Sequence, residues 1–185
     1  MPHPLDAPEF AQKLALLRTV RLGMMAVLVV ASVGFAFVVF FALDGVPLAG
    51  NRFTVRGVSV LALAGVAVTP FLPLAAYLAG RSKRAALVER MSLDHPEVVG
   101  PDVDAERLLN AYAGGQFTES AVAFSAGLAL AIVFHVLSSP LLLGCIGVLV
   151  LFLGFRFPFE GRVKGWFDAE TTALLARRAS GTPPR

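Results

Sequence analysis

A run of 22 residues without a charged side chain, residues 22–43, is the feature that most constrains the fold of this chain. As an α-helix it would be about 33 Å long, enough to cross a hydrocarbon core of roughly 30 Å. It is longer than the apolar part of a cleaved signal peptide, and no A-x-A-like cleavage site follows it. The run therefore predicts a retained membrane helix.

Three more apolar stretches follow, at residues 57–80, 120–137 and 141–155. Only 16% of the residues are charged, whereas a soluble domain has about 25%. Pro70 and Pro73 predict a kink in the second stretch, serving either as a hinge or as packing geometry. Three residues, Ser138 to Pro140, separate the third stretch from the fourth and predict a tight turn.

The basic residues predict the orientation of these helices. Fourteen of the sixteen Lys and Arg residues lie before the first stretch, between the second and third, or after the fourth. The two remaining loops contain only Arg52 and Arg56. By the positive-inside rule, the protein is expected in the cytoplasmic (inner) membrane with both termini and the central loop in the cytoplasm.

The predicted fold is thus all-α: a polytopic membrane protein with four transmembrane helices in two hairpins plus amphipathic cytoplasmic helices. The predicted segments are a lead-in helix (1–21), TM1 (22–43), an outer loop (44–56), TM2 (57–80), a cytoplasmic helical loop (81–119), TM3 (120–137), an outer turn (138–140), TM4 (141–157), an interfacial helix (158–178) and a disordered tail (179–185).

The cytoplasmic segments are expected to be helices that lie on the inner leaflet. Asp6 and Glu9 have the spacing of a capping box for the lead-in helix. The central loop is expected to break around residues 95–101, and its second helix to end at Gly114 and Gly115. Acidic residues between positions 94 and 106 fit solvated turns and caps better than a metal site.

TM3 carries the most informative pattern of small residues. Ala123, Gly127 and Ala131 recur every four residues, a spacing that lets two helices approach closely, and His135 is the next member of the series. His135 would lie about 10 Å from the bilayer midplane. A packing role is favoured over a ligand or proton-relay role, although His135, Ser138 and Ser139 could together form a polar cluster at an outer mouth.

Glu119 lies at the predicted start of TM3, beside the candidate N-cap Thr118. A carboxylate at this position complements the positive end of the helix dipole. This interpretation needs no functional role for Glu119.

The C-terminal segment has an aromatic and basic pattern. Arg156 is expected to reach the headgroups from the end of TM4. An apolar face is expected to lie in the inner headgroup plane, with two basic residues beside it; a partner-binding helix is the alternative. The anchoring residues are Arg156, Phe159, Arg162, Val163, Lys164, Trp166 and Phe167.

An acid-led third helix, a tight hairpin, the sequence Arg156-Phe157-Pro158 and the nearby Trp166 resemble an uncharacterised group of bacterial four-helix inner-membrane proteins. That group is sometimes likened to the proton-carrying ring subunit of rotary ATP synthases. The resemblance implies a four-helix membrane fold and no established function. Proton carriage would need a carboxylate well inside a membrane helix, where this chain has Ser125 and Gly127.

The sequence contains no GxxxxGK[ST], HExxH or GxSxG motif, so no catalytic, cofactor-binding or metal-binding residues are predicted. Cys145 is the single cysteine and cannot form an intramolecular disulfide. The basic flank RSKR fits anionic headgroups on the cytoplasmic side rather than nucleic acid.

The favoured function is a non-enzymatic structural, accessory or assembly subunit that acts through helix packing and lipid contact. The alternative is a pore or transporter subunit formed by oligomerisation. The expected partners are the lipid bilayer and either further copies of the chain or a larger membrane complex.

Overall fold

The structure is a computed structural model that describes residues 8–42, 54–55, 58–93 and 101–180. Apart from one pair of two-residue strands, the described residues form helices joined by short turns. In order they are α1 (Pro8–Phe37) with a π-helical continuation (Val38–Ala42), β1 (Thr54–Val55), β2 (Val58–Ser59), α2 (Val60–Val68), α3 (Phe71–Leu93), α4 (Pro101–Leu137), α5 (Pro140–Phe155) and α6 (Glu160–Ser180). The strands pair antiparallel, with Thr54 opposite Ser59 and Val55 opposite Val58.

Two to four helical segments are long and apolar enough to cross a membrane. Two are single helices, Phe10–Phe40 and Ala105–Leu137. The other two are bent pairs: α2 with α3, bent by 44°, and α5 with α6, bent by 65°. The predicted helical class is therefore confirmed, and these helices are consistent with a membrane protein. The break between α2 and α3 falls at Thr69 and Pro70, where proline supplies no N–H to the helix ladder, so the predicted kink is also confirmed.

Helix α4 lies at the centre of the bundle and packs against α1, α3 and α5. Near its C-terminal end, Leu130, Ala131 and Phe134 are buried against Leu142 and Ile146 of α5. Nearer the middle of α4, Ala123 is buried with Leu28 of α1, Ala76 of α3 and Leu153 of α5. The part of the bundle around the apolar stretches therefore contains two apolar clusters, and Val150 of α5 packs against both.

The expected end of a helix at Gly114 and Gly115 is wrong, because α4 runs unbroken from Pro101 to Leu137. Thr118 is not an N-cap either, since its Oγ1 donates to the carbonyl of Gly114 within the helix at 2.9 Å. Glycine at position 115 permits close packing instead. A Cβ there would lie 2.7 Å from the carbonyl oxygen of Gly80 on α3. The two glycines let α3 and α4 approach until their backbones touch.

The segments predicted to lie on the inner leaflet pack on one another. Val163 and Phe167 of α6 are 1% and 4% exposed and form apolar clusters with residues of α3 and α4. Phe10 of α1 packs against the same clusters. These contacts between α6, the start of α1 and parts of α3 and α4 therefore form a second helical layer next to the apolar clusters of the bundle.

Four features expected from the sequence lie wholly or partly outside the described residues. They are the Asp6–Glu9 capping box, the outer loop 44–56 with Arg52 and Arg56, the break near residue 95, and the end of the tail at 181–185.

Candidate functional site

Charged side chains from four parts of the chain meet at one buried point, between the apolar core and the second helical layer. Glu119 of α4 is 0% exposed, Arg21 of α1 is 2% exposed, and Arg84 of α3 is 8% exposed. Arg156, the residue after α5, approaches the same carboxylate. We call Arg21, Arg84, Glu119 and Arg156 the charge cluster.

Arg156 makes the closest contact in the charge cluster. Its Nε donates to Glu119 Oε1 at 3.0 Å and its Nη2 donates to Oε2 at 3.2 Å. Such a two-pronged pairing of guanidinium and carboxylate is stronger and more directional than a single hydrogen bond. The guanidinium also lies over the ring of Tyr77 on α3, 5.0 Å from its centroid. Arg156 therefore ties the end of α5 to both α3 and α4.

Arg21 joins α1 to the same place through three contacts. Its Nε donates to the carbonyl of Leu153 at 2.9 Å, and its Nη1 donates to Oε1 of Gln116. The carbonyl of Leu153 belongs to the last turn of α5, where carbonyls have no partner within the helix. Arg21 Nη2 lies 3.6 Å from Glu119 Oε1. Arg21 thus caps α5 while it faces the carboxylate.

Arg84 completes the charge cluster less tightly. Its Nη1 lies 3.7 Å from Glu119 Oε2, too far for a hydrogen bond. Within the described residues, Arg84 Nη1, Arg21 Nη2 and the hydroxyl of Tyr112 are buried without a hydrogen-bond partner. A buried donor left unpaired costs about 1–3 kcal/mol, and more when it is charged.

The charge cluster is electrically unbalanced. Three guanidinium groups face one carboxylate, so two positive charges have no counter-ion in the part of the chain that the structure describes. Taking such charges out of water is unfavourable unless they are paired. The cluster is therefore well suited to attract an anion.

Two glycines allow this degree of burial. A Cβ on Gly80 would lie 2.8 Å from Cβ of Glu119, and a Cβ on Gly115 would overlap Cγ of Arg84. Side chains at these two positions would therefore push α3 away from the charge cluster. The glycines set the distance at which Arg84 faces Glu119.

The residues of the small-residue series face the interior. Ala123, Gly127 and Ala131 are buried, and a Cβ on Gly127 would lie 2.9 Å from Cδ2 of Leu28 on α1. The His135 ring lies 5.1 Å from the ring of Phe35, also on α1. Its Nδ1 is buried and has no hydrogen-bond partner among the described residues.

The two serines lie in the turn after His135. Ser138 adopts a left-handed conformation with φ of 52°, and Ser139 is the N-cap residue of α5 without a side-chain cap bond. His135 lies 16 residues beyond Glu119 along α4, a distance of about 24 Å, and the turn lies further along the chain.

The predicted anchoring residues are divided among several roles. Arg156 pairs with Glu119, whereas Trp166 packs on Tyr112 with the ring centroids 5.1 Å apart. Arg162 donates to the carbonyls of Phe155 and Phe157, and Lys164 pairs with Glu160 at 2.9 Å. Val163 and Phe167 are buried, and Phe159 is 57% exposed.

Sequence reasoning missed the charge cluster. Arg21, Arg84 and Arg156 counted as orientation signals, and Glu119 counted as a helix-end residue. The sequence did contain one signal: each of the four residues lies at or near the end of an apolar stretch, on the same predicted side of the membrane. A single acid among arginines at one end of a bundle favours a buried network.

Within the described residues, no group of three or more His, Cys, Asp or Glu side chains is placed to hold a metal ion. Comparisons of the chain with protein-family models, curated proteins and solved structures find no match.

Proposed function

We propose that this protein is a non-enzymatic membrane subunit that crosses the cytoplasmic membrane four times, with both termini in the cytoplasm, and supports a larger membrane assembly. The observation that supports the proposal is the division of the bundle into a charged part, formed by the charge cluster, and an apolar part. The charge cluster joins α1, α3, α4 and the end of α5 at one level. Between Glu119 and His135, the inward positions of α4 are small or apolar.

The small and apolar inward residues of α4 between Glu119 and His135 favour a structural role over transport through one copy of the chain. Ala123, Gly127, Ala131 and Phe134 are buried along this part of α4. A path for ions or polar solutes would need polar groups at this depth. A transport function would therefore have to use a path formed between copies.

Exposed apolar faces supply surfaces for lipid or partner helices. On α1, Val30 and Val33 are 70% and 63% exposed, and on α5, Leu151 and Phe155 are 62% and 75% exposed. Apolar surface of this kind is expected to be covered in a membrane. The fixed charge cluster would hold these faces in a constant relative orientation.

Site-specific crosslinking in cells tests the proposal. A photoreactive residue at Val30 is expected to capture a membrane protein partner, whereas the same residue at Leu28, which is 0% exposed, should capture none. Mild-detergent purification should recover the same partner. A clean monomer without partners would overturn the accessory role, and solute flux through liposomes containing the protein alone would favour a pore.

The orientation is tested separately by cysteine labelling in a Cys145→Ala background. A cysteine at Lys83 should react with an impermeant reagent only after the cells are opened. A cysteine at Arg52 should react in intact cells once the outer membrane is permeable. The reverse pattern would show the opposite orientation.

A further inference from the structure

We propose that the charge cluster binds one phosphate-type oxyanion, carried by a lipid headgroup or free in solution. The first reason is the set of unpaired donors. In the described part of the chain, Arg21 Nη2, Arg84 Nη1 and the Tyr112 hydroxyl are buried without hydrogen-bond partners. Arg21 Nη2 and Arg84 Nη1 lie 3.6 and 3.7 Å from the two oxygens of the Glu119 carboxylate, so these two donors converge on one place. A phosphate group has several oxygens that can accept from donors converging in this way.

The second reason is the charge. One carboxylate faces three guanidinium groups, so an anion with one or two negative charges would bring the charge cluster close to neutrality. Arginine suits this task because its planar donors match phosphate oxygens in pairs. Burial of Arg21, Arg84 and Glu119 lowers the local dielectric constant, which strengthens the attraction.

The third reason is access. The side chain of Arg156 is 27% exposed, whereas those of Arg21 and Arg84 are 2% and 10% exposed. Arg156 also lies at the start of the non-helical turn 156–159 between α5 and α6. An anion can therefore approach beside Arg156, which can share its donors between Glu119 and the ligand.

The position in the bundle fits a phosphate at a membrane surface. Arg21 directly precedes the uncharged stretch 22–43, and Arg156 directly follows α5. Residues that flank apolar helices lie near the headgroups of a bilayer. The inference depends on the chain being in a membrane and is independent of the accessory role, so either can fail alone.

Thermal unfolding of the full-length, delipidated protein in maltoside detergent tests the inference. At constant ionic strength, sodium phosphate is compared with sodium chloride. In a second arm, phosphatidylglycerol is compared with a galactolipid that has no phosphate. A rise in Tm with phosphate identifies a free anion as sufficient, and a rise with phosphatidylglycerol alone identifies the headgroup. Equal Tm values in both comparisons would overturn the proposal.

Matched variants locate the binding. Arg84→Gln should weaken the apparent affinity for the effective ligand by about tenfold or more. Arg81→Gln removes the same charge from an exposed position on α3 and should leave it unchanged. An equal loss in both variants, or an unchanged affinity in Arg84→Gln, would contradict the site.

Two further substitutions keep the test decisive if Arg84→Gln does not fold. Arg84→Lys keeps the charge and loses the paired donors, so binding should weaken several-fold. Glu119→Gln removes the competing carboxylate and should tighten anion binding. A purely structural cluster predicts that Glu119→Gln gains no affinity, and that result would overturn the proposal.

Discussion

Replacing Glu119 by glutamine changes the charge of the cluster with little change in volume. The substitution removes the carboxylate that accepts two hydrogen bonds from Arg156, at 3.0 and 3.2 Å, and faces Arg21 and Arg84 at 3.6 and 3.7 Å. An amide keeps one acceptor oxygen. Three guanidinium groups then face one another without a carboxylate between them.

The expected loss of stability is large. Removing one partner of a buried ion pair costs about 3–5 kcal/mol. Arg156 is partly exposed and can turn toward water, which places the expected loss near the lower end, at about 3 kcal/mol. For a chain of this size such a loss corresponds to a fall in Tm of roughly 6–12 °C.

Thermal or denaturant unfolding in detergent measures this loss. Glu106→Gln is a matched control, because Glu106 is an exposed acid on the same helix that pairs with Lys13 at 2.7 Å. Its loss should change stability little, since exposed ion pairs are screened by water. Combining Glu119→Gln with Arg84→Gln should cost less than the sum of the two single changes, because the double variant removes one of the excess positive charges. Equal effects of Glu119→Gln and Glu106→Gln would refute the reasoning.

Two other predictions concern close packing along α4. Gly115→Ala should lower the free energy of unfolding by about 1–3 kcal/mol, because its Cβ would meet the carbonyl of Gly80. Gly144→Ala is the control and should not destabilise the protein, because a Cβ at position 144 has nothing within 4 Å. Equal losses of stability for the two variants in denaturant unfolding would contradict this prediction. His135→Ala should cost about 1 kcal/mol through loss of the ring contact with Phe35, whereas His135→Phe keeps a ring and removes the unpaired Nδ1. His135→Phe should therefore be at least as stable as the wild type in the same measurement, and an unchanged stability in His135→Ala would remove the packing role.

The apolar pattern is sufficient to predict helices that are long and apolar enough to cross a membrane. Uncharged stretches have a length set by the bilayer, and Pro70 has a local effect on backbone hydrogen bonding. Both properties can be read from neighbouring residues alone. The kink between α2 and α3 and the short turn before α5 follow from them.

The continuity of α4 could not be read in the same way. Gly114 and Gly115 resemble a helix stop in sequence, yet tertiary contact with α3 overrides that local preference. Likewise, an amphipathic face such as that of α6 predicts burial without saying whether lipid or protein covers it. The faces of Val163 and Phe167 are covered by protein.

The charge cluster is the least local of these features. Its residues lie at positions 21, 84, 119 and 156, and no pair of them has a spacing that sequence alone identifies as a contact. An arginine that marks orientation and an arginine that binds a buried carboxylate look identical in the sequence. Their pairing becomes visible only once the helices are placed side by side.

The wide separation of these positions also orders events during synthesis. Arg21 contacts Leu153, which is 132 residues further along the chain. When Glu119 is translated, Arg21 and Arg84 are already part of the chain, whereas Arg156, which makes the closest pair with Glu119, is still 37 residues from being added. The Glu119 carboxylate can therefore form its closest ion pair only after Arg156 has been added, and the charge cluster can be completed only after α5 has been made.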